Sequence, residues 1–211
     1  IDNTPPDVSN IQITPSYSSD GTIYISGTSN ISASVSDLGS GIAECEYTLD
    51  GGTNWMSVTY SDGTCMVVNV DTSSATSINI KATDNVGNIG YGEPIGVTPD
   101  TQPPSTSDDA PAEWKRGDII VTLSCDDDSG SGCRETYYQI CDENCENCED
   151  EQTGTSVTLS CGENSVCKYK IKYYSIDNVG NTEIAHCTSN IIKIDNKPPL
   201  TTDNSDTDWH S

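Results

Sequence analysis

Apolar and polar residues alternate in short stretches along the whole chain, and nowhere do they take the three-to-four-residue spacing of an amphipathic helix. Ile23 and Ile25 share one face of 22–25, and Ile31, Ala33 and Val35 share one face of 31–35. Further strands are predicted over 42–49, 55–60, 66–70, 77–82 and 89–97, with Asp50-Gly51-Gly52 as a turn. The second half repeats the order over 119–125, 135–141, 155–161, 167–176 and 182–194. About seven half-apolar strands in roughly 95 residues, separated by regular turns, predict an all-β fold of tandem immunoglobulin-like β-sandwiches. Hydrophobic residues make up 33% of the 211 and there is no Phe, so each core must be thin and built from Ile, Val, Tyr and small residues.

The repeat is explicit in the joints. Asp2-Asn3-Thr4-Pro5-Pro6 returns as Asp100-Thr101-Gln102-Pro103-Pro104 and again as Asp195-Asn196-Lys197-Pro198-Pro199. Between them, Asp37-Leu38-Gly39-Ser40-Gly41 answers Asp128-Ser129-Gly130-Ser131-Gly132. The segment 46–50 answers 137–141, and Thr83-Asp84-Asn85-Val86-Gly87-Asn88 answers Ile176-Asp177-Asn178-Val179-Gly180-Asn181. Trp114 follows Pro104 as Trp209 follows Pro199. The expected modules are therefore 1–98 and 99–197, with 198–211 opening a third, and the chain reads as a piece of a longer array. Asp-Asn-Val-Gly-Asn is turn chemistry, its Asp and Asn accepting nearby N–H groups while Gly takes a positive φ. Pro-Pro pairs restrict φ and deny strand pairing, so the joints should be stiff and the array a rod.

Charge narrows the function. Asp and Glu number 33 against 9 Lys and Arg, a net charge of −24, which leaves no basic surface for nucleic acid and argues against an anionic membrane. No apolar run is long enough to span a bilayer. Ten cysteines, an even number in each half, indicate an oxidising, extracellular compartment. All ten are expected in disulfides. Cys45 with Cys65, Cys125 with Cys133 and Cys161 with Cys167 are the preferred local pairs, leaving Cys141, Cys145, Cys148 and Cys187 to pair among themselves. Cys145-Glu146-Asn147-Cys148 also has the spacing of a redox or zinc pair, but the flanking Glu146 and Glu149 raise a thiol pKa and disfavour the thiolate.

Pro103-Pro104, Trp114, Val121-Thr122-Leu123, Asp128-Ser129-Gly130-Ser131-Gly132, Thr136-Tyr137-Tyr138 and residues 172–183 together resemble repeated bacterial and archaeal Ig-like modules of large surface proteins. The most similar group is the repeat typified by a leptospiral outer-membrane protein; related modules include other bacterial Ig-like and hyalin repeats. The resemblance covers 100–197 well and 1–98 less well. It implies a surface-exposed tandem array of structural or adhesive type, with no catalytic residues to carry over. The chain departs from that pattern in its eight cysteines between 125 and 187.

Candidate sites are few. The acidic joints and the runs Asp108-Asp109 and Asp126-Asp127-Asp128 offer oxygen ligands, and Asp100, Asp128 and Asp195 are the calcium candidates, although none falls in an Asp-x-Asn-x-Asn-Gly loop. The plain alternative is a solvated acidic face, so no metal site or cofactor is assigned. Trp55, Tyr60, Tyr137, Tyr138, Tyr173 and Tyr174 would make either a sugar-binding platform or, by strand alternation, core filling in place of Phe. His186 and His210 are isolated and no nucleophile motif is present, so no enzyme activity is expected. A non-catalytic spacer or wall-like segment of an exported cell-surface protein, partnered by neighbouring Ig-like modules and open to self-association, is the preferred reading. The alternatives are an adhesin or carbohydrate-binding module with a surface glycan or protein ligand, and accessory domains of a secreted enzyme.

Overall fold

A computed structural model describes residues 2–202. The chain forms two compact units, one of residues 1–105, 125–135 and 175–184, the other of 106–124, 136–174 and 185–211. The third repeat expected at 198–211, with Trp209 and His210, falls largely outside the described residues.

Nine strands belong to the first unit: β1 (Asp7–Ser19), β2 (Thr22–Ser36), β3 (Ile42–Thr48), β4 (Met56–Ser61), β5 (Thr64–Asp71), β6 (Ser77–Asp84), β7 (Ile89–Tyr91), β8 (Ile95–Gly96) and β9 (Thr98–Asp100). They form one curled sheet in the order β1-β2-β5-β4-β3-β6-β7, with β8 on β6 and β9 parallel to β2. β4 joins the two faces of the sandwich by pairing with β3 through Cys45↔Val58 and with β5 through Tyr60↔Cys65. Ile25, Ile31, Ala33 and Val35 of β2 face Ile78, Ile80 and Ala82 of β6 in one buried cluster. Each fully buried Ile contributes about 1.5–3 kcal/mol by leaving water.

Two differences from the alternation have physical causes. β1 escapes it because its apolar residues, Val8, Ile11 and Ile13, are out of period. The pairing with β2 shifts between Ser9 and Gln12, where Asn10 takes φ +52° and inserts a bulge. The single strand expected over 89–97 is instead β7, β8 and the lead into β9, since Pro94 brings no N–H to the ladder.

The following strands are β10 (Ser105–Asp108), β11 (Trp114–Lys115), β12 (Ile119–Asp126), β13 (Cys133–Cys141), β14 (Gln152–Thr153), β15 (Ser156–Leu159), β16 (Val166–Asp177), β17 (His186–Cys187) and β18 (Ile192–Asp195). They make two sheets, β10-β12-β15 and β11-β18-β16-β13-β14, with β17 on β16. The core of the second unit lies between them: Ile119, Val121, Leu123, Val157 and Leu159 from one sheet meet Ile171, Tyr173, Ile192 and Ile194 from the other. Tyr173, 3% exposed, takes the place a Phe would hold and satisfies its hydroxyl by donating to Asp108 Oδ2 at 2.7 Å.

All ten cysteines are paired. Cys45–Cys65 ties β3 to β5 through the first core, Cys125–Cys133 and Cys161–Cys167 close short connections, and Cys141–Cys148 and Cys145–Cys187 interlock the acidic loop with β17.

Candidate metal centre

In β6 every second side chain is buried, and the alternation that sends Ile78, Ile80 and Ala82 into the core sends Asp84 there too, at 2% exposure. β16 does the same with Ile171, Tyr173, Ser175 and Asp177, whose exposure is zero. A carboxylate thus stands at the inner end of each strand, in the motif Asp-Asn-Val-Gly-Asn. Asp84 Oδ1 accepts N–H groups from Val86 at 2.9 Å and Asn88 at 2.8 Å, and Asn88 Nδ2 donates to Oδ2 at 2.7 Å. Asp177 Oδ1 accepts from Val179, Gly180 and Asn181 at 2.9, 2.6 and 2.8 Å, and Asn181 Nδ2 donates to Oδ2 at 2.6 Å.

Two more carboxylates meet each of these. The joint residue Asp2 accepts the Thr4 N–H at Oδ1 and the Ser40 N–H at Oδ2, at 3.0 and 2.6 Å. Asp100 repeats this with Gln102 at 3.3 Å and Ser131 at 2.7 Å. From the intervening loops, Asp37 Oδ2 accepts from Gly39 at 3.2 Å and Gly41 at 2.6 Å, while Asp127 Oδ2 accepts from Gly132 at 2.6 Å. Asn85 donates to the carbonyls of Ser40 and Gly41, as Asn178 does to those of Ser131 and Gly132, so each loop is laced to its turn. Glycine is required where the joint carboxylate lies against the loop: a Cβ on Gly39 would overlap Asp2, and one on Gly130 would meet Asp127 Oδ2 at 2.6 Å and Asp100 Oδ2 at 2.9 Å.

The result is two equivalent triads, Asp2/Asp37/Asp84 and Asp100/Asp127/Asp177, in each of which one oxygen per residue lies within 4.8 Å of the others. No Lys, Arg or His pairs with any of the six among the described residues; the ion pairs Lys81–Glu46 and Lys168–Glu143 lie elsewhere. The electrostatics differ by position. Burial pushes the Asp127 carboxyl up, and the charges of Asp100, Asp177 and Asp128 add to this. The Thr4 and Ser40 N–H groups hold Asp2 below the ordinary carboxylate range. At Asp84 burial acts upward but is outweighed by the Asn88 side chain and the N–H groups of Asn88, Val86 and Gly87, so its pKa is lowered.

Of the three calcium candidates read from sequence, the structure brings only Asp100 into a triad. Asp128 is exposed, at φ +43°, and its N–H donates to Asp126. The second loop is one residue longer than the first, and Asp127, not Asp128, is the counterpart of Asp37. Asp195 is exposed and accepts the Lys197 N–H at 2.9 Å, the same local turn as Asp2 and Asp100. Asp108 and Asp109 are engaged by Tyr173 and by the Thr122 N–H. Asp84 and Asp177 were legible only as turn residues; the signal for more was that each follows an alternating run that points it inward.

Of the remaining candidates, Tyr138 and Tyr174 line one open pocket with Gln139, Glu151, Lys172 and Ala185. Cys145 and Cys148 are each bonded to a different partner, so Cys-x-x-Cys is not a redox or zinc pair. Tyr137 and Tyr174 stack on each other with centroids 5.1 Å apart, and Trp55 lies under Lys81 Nζ and edge-on to Tyr91. His186 packs edge-on against Tyr173, its Nε2 3.2 Å from the Thr106 carbonyl. No described helix is long and apolar enough to cross a membrane.

Among solved structures the chain is similar to titin domains A168–A170, with a TM-score of 0.53 and 14% identity over 90% of this chain and 68% of that one. It is also similar to fibronectin(III)-like modules of Clostridium thermocellum CbhA (TM-score 0.47, 14% identity, 93% and 100% covered) and to chicken CNTN1 FN1–FN3 domains (TM-score 0.42, 12% identity, 92% and 69% covered). No family model and no curated protein matches it. The protein is an all-β chain of Ig-like β-sandwich fold.

Proposed function

We propose that this chain is a structural spacer within a large exported cell-surface protein, built of two tandem Ig-like modules, 1–98 and 99–197, and belonging with the bacterial surface repeats it resembles. The observation that carries the reading is the treatment of the joint residue Asp100. Both its carboxylate oxygens accept main-chain N–H groups, from Gln102 and Ser131, and its carbonyl accepts from Asn181, so this residue is tied to the two loops beside it. Full disulfide closure of ten cysteines supports an oxidising, extracellular setting. The net charge of −24 keeps neighbouring copies soluble and mutually repelling. Partners under this reading are adjoining modules of the same array.

Small-angle scattering of the oxidised chain tests it. A spacer gives one elongated particle whose largest dimension is independent of concentration and of added neutral glycans. A broad, linker-like distribution of dimensions, or a saturable change on adding a glycan, would replace the spacer with a flexible or adhesive role.

A further inference from the structure

We propose that the pocket on the larger sheet of the second unit, lined by Tyr138, Gln139, Glu151, Lys172, Tyr174 and Ala185, binds one neutral sugar ring, the end residue of a glycan. The inference goes beyond the spacer reading and does not depend on it, because a ring seated on one sheet leaves the dimensions of the chain unchanged.

The repeat shows what is particular to this place. Tyr137 and Tyr174 stand where the first repeat has Glu46 and Lys81. Those two are cross-strand partners of β3 and β6 and close an ion pair at 2.8 Å, which covers an outer sheet face in the ordinary way. Tyr137 and Tyr174 instead stack, with 5.1 Å between centroids and 10° between planes, and Tyr174 belongs to a strand whose alternate residues Ile171 and Tyr173 enter the core. The short Asp50-Gly51-Gly52 turn is likewise replaced by the loop 141–151, which Cys141–Cys148 closes and Cys145–Cys187 fastens to β17. Gln139 Nε2 donates to the Glu149 carbonyl at 3.0 Å, and the Glu149 N–H donates to the Ile140 carbonyl at 2.8 Å, so this loop is held along one side of the face. On the other side β17 pairs with Lys172 and Tyr173. A flat sheet face thus becomes a pocket between two walls, and the extra cysteines of the second repeat are what hold the walls.

The lining selects the ligand. At about 100 Å³ the pocket has room for roughly seven to ten water-sized positions, enough for one ring with its hydroxyls, and its open side lets the rest of a glycan run into solvent. Lys172 is half-buried, and its ammonium has neither an ion pair nor a hydrogen bond among the described residues. Glu151 supplies one carboxylate, whose Oε2 accepts the Tyr174 hydroxyl at 3.2 Å. Burial and the Glu151 charge push the Tyr174 hydroxyl pKa up, so the proton stays on that bond. The Tyr138 hydroxyl donates to Gln152 Oε1 at 3.0 Å. One positive and one negative charge favour a ligand with no net charge. With their protons committed, the two tyrosine oxygens accept, as do the second Glu151 oxygen and the Gln139 amide oxygen, while Lys172 donates. Hydroxyl groups meet both needs at once. The Tyr174 ring, backed by Tyr137, offers the apolar surface on which the C–H face of a pyranose rests.

The test is a titration of the ¹⁵N-labelled, oxidised full chain with glucose, galactose, mannose and N-acetylglucosamine, each up to about 50 mM, well above the roughly millimolar Kd expected of a one-ring site. At least one sugar should give saturable shifts centred on the amides of Gln139, Glu151, Lys172 and Tyr174, with none at Glu46 and Lys81. Glu151→Gln and Lys172→Met should each weaken binding by about fivefold or more, as loss of a hydrogen bond to a charged group does, and Tyr174→Ala should abolish it. If Tyr174→Ala misfolds, Glu151→Gln decides, since that side chain is exposed. Shifts that stay linear or scattered with all four sugars, the same shifts with glycerol, or binding unaltered in the Glu151 and Lys172 variants would overturn the proposal.

Discussion

Asn181 Nδ2 donates to the main-chain carbonyl of Asp100 at 3.1 Å while also donating to Asp177 Oδ2 at 2.6 Å. One side chain, at the end of a tight turn, therefore holds both the carboxylate it follows and the joint that lies 81 positions earlier in sequence. Asn88 makes the same two bonds, to the Asp2 carbonyl at 3.4 Å and to Asp84. Asn181→Ala leaves a buried carboxylate short of a donor and should lower stability by about 1.5–3 kcal/mol, the range for hydrogen bonds to charged groups. Urea denaturation measures this. A loss below about 0.5 kcal/mol would mean that the joint is held by other contacts.

Disulfide removal should be graded by loop length. Cys145–Cys187 spans 42 residues and Cys161–Cys167 only 6. The chain-entropy relation gives about 4 kcal/mol for the first and about 2 kcal/mol for the second. Paired Ser substitutions of each bridge, compared by denaturant midpoint, should preserve that order; equal losses would place the effect in the folded state.

Acid stability should depend on the loop aspartates outside the triads. Asp50 accepts N–H groups of Asn54 and Thr53, the Asn54 side chain and the Thr48 hydroxyl, which together hold its pKa at about 2 against an ordinary 3.8. Asp142 repeats the device with the Glu146 N–H and the Asn147 side chain, and its pKa is likewise lowered. Because the folded pKa is depressed, this stabilisation is present above the ordinary carboxylate pKa and is lost as pH falls from about 3.8 towards about 2. Carboxyl-carbon NMR should show Asp50 titrating near 2, and Asp50→Asn should flatten part of the acid limb. A titration midpoint at or above 3.8 would contradict the assignment.

Two glycines should respond in opposite directions to alanine. A Cβ on Gly90 would overlap the Pro6 carbonyl oxygen, a main-chain atom that moves only with the joint. Gly90→Ala should therefore destabilise by about 2–3 kcal/mol, as overpacking does. Gly96 has open space and no positive φ, so Gly96→Ala should be neutral or stabilise by up to about 1 kcal/mol through the unfolded chain. Thermal melts of the two variants check the contrast.

Strand alternation made most of the fold legible. The runs at 31–35, 77–82 and 119–125 sit where their apolar period places them, because each turns one face into a buried core. Alternation fails where a bulge resets it, which is why β1 was hidden behind Asn10. The triads were half legible. Repetition of Asp-x-x-Pro-Pro picks out Asp100, but Asp128-Ser129-Gly130-Ser131-Gly132 matches Asp37-Leu38-Gly39-Ser40-Gly41 by residue type, and a one-residue insertion beside a run of three aspartates hides Asp127 as the true counterpart. Asp84 and Asp177 carried two roles at once, turn acceptor and inward-facing strand residue, and only the local one shows in the motif.

The disulfides have a mechanical meaning as well. When a chain is pulled from its two ends, tension runs along the shortest covalent path, which crosses the outer bridges and bypasses the segments they close. The separations of 20, 8 and 42 residues at Cys45–Cys65, Cys125–Cys133 and Cys145–Cys187 then never enter the load path. At 3.3–3.6 Å per extended residue, roughly 220 Å of contour length stays locked even after both sandwiches have unravelled. A thiol reductant would release that length, so the redox state of its surroundings sets how far this protein can be drawn out under load.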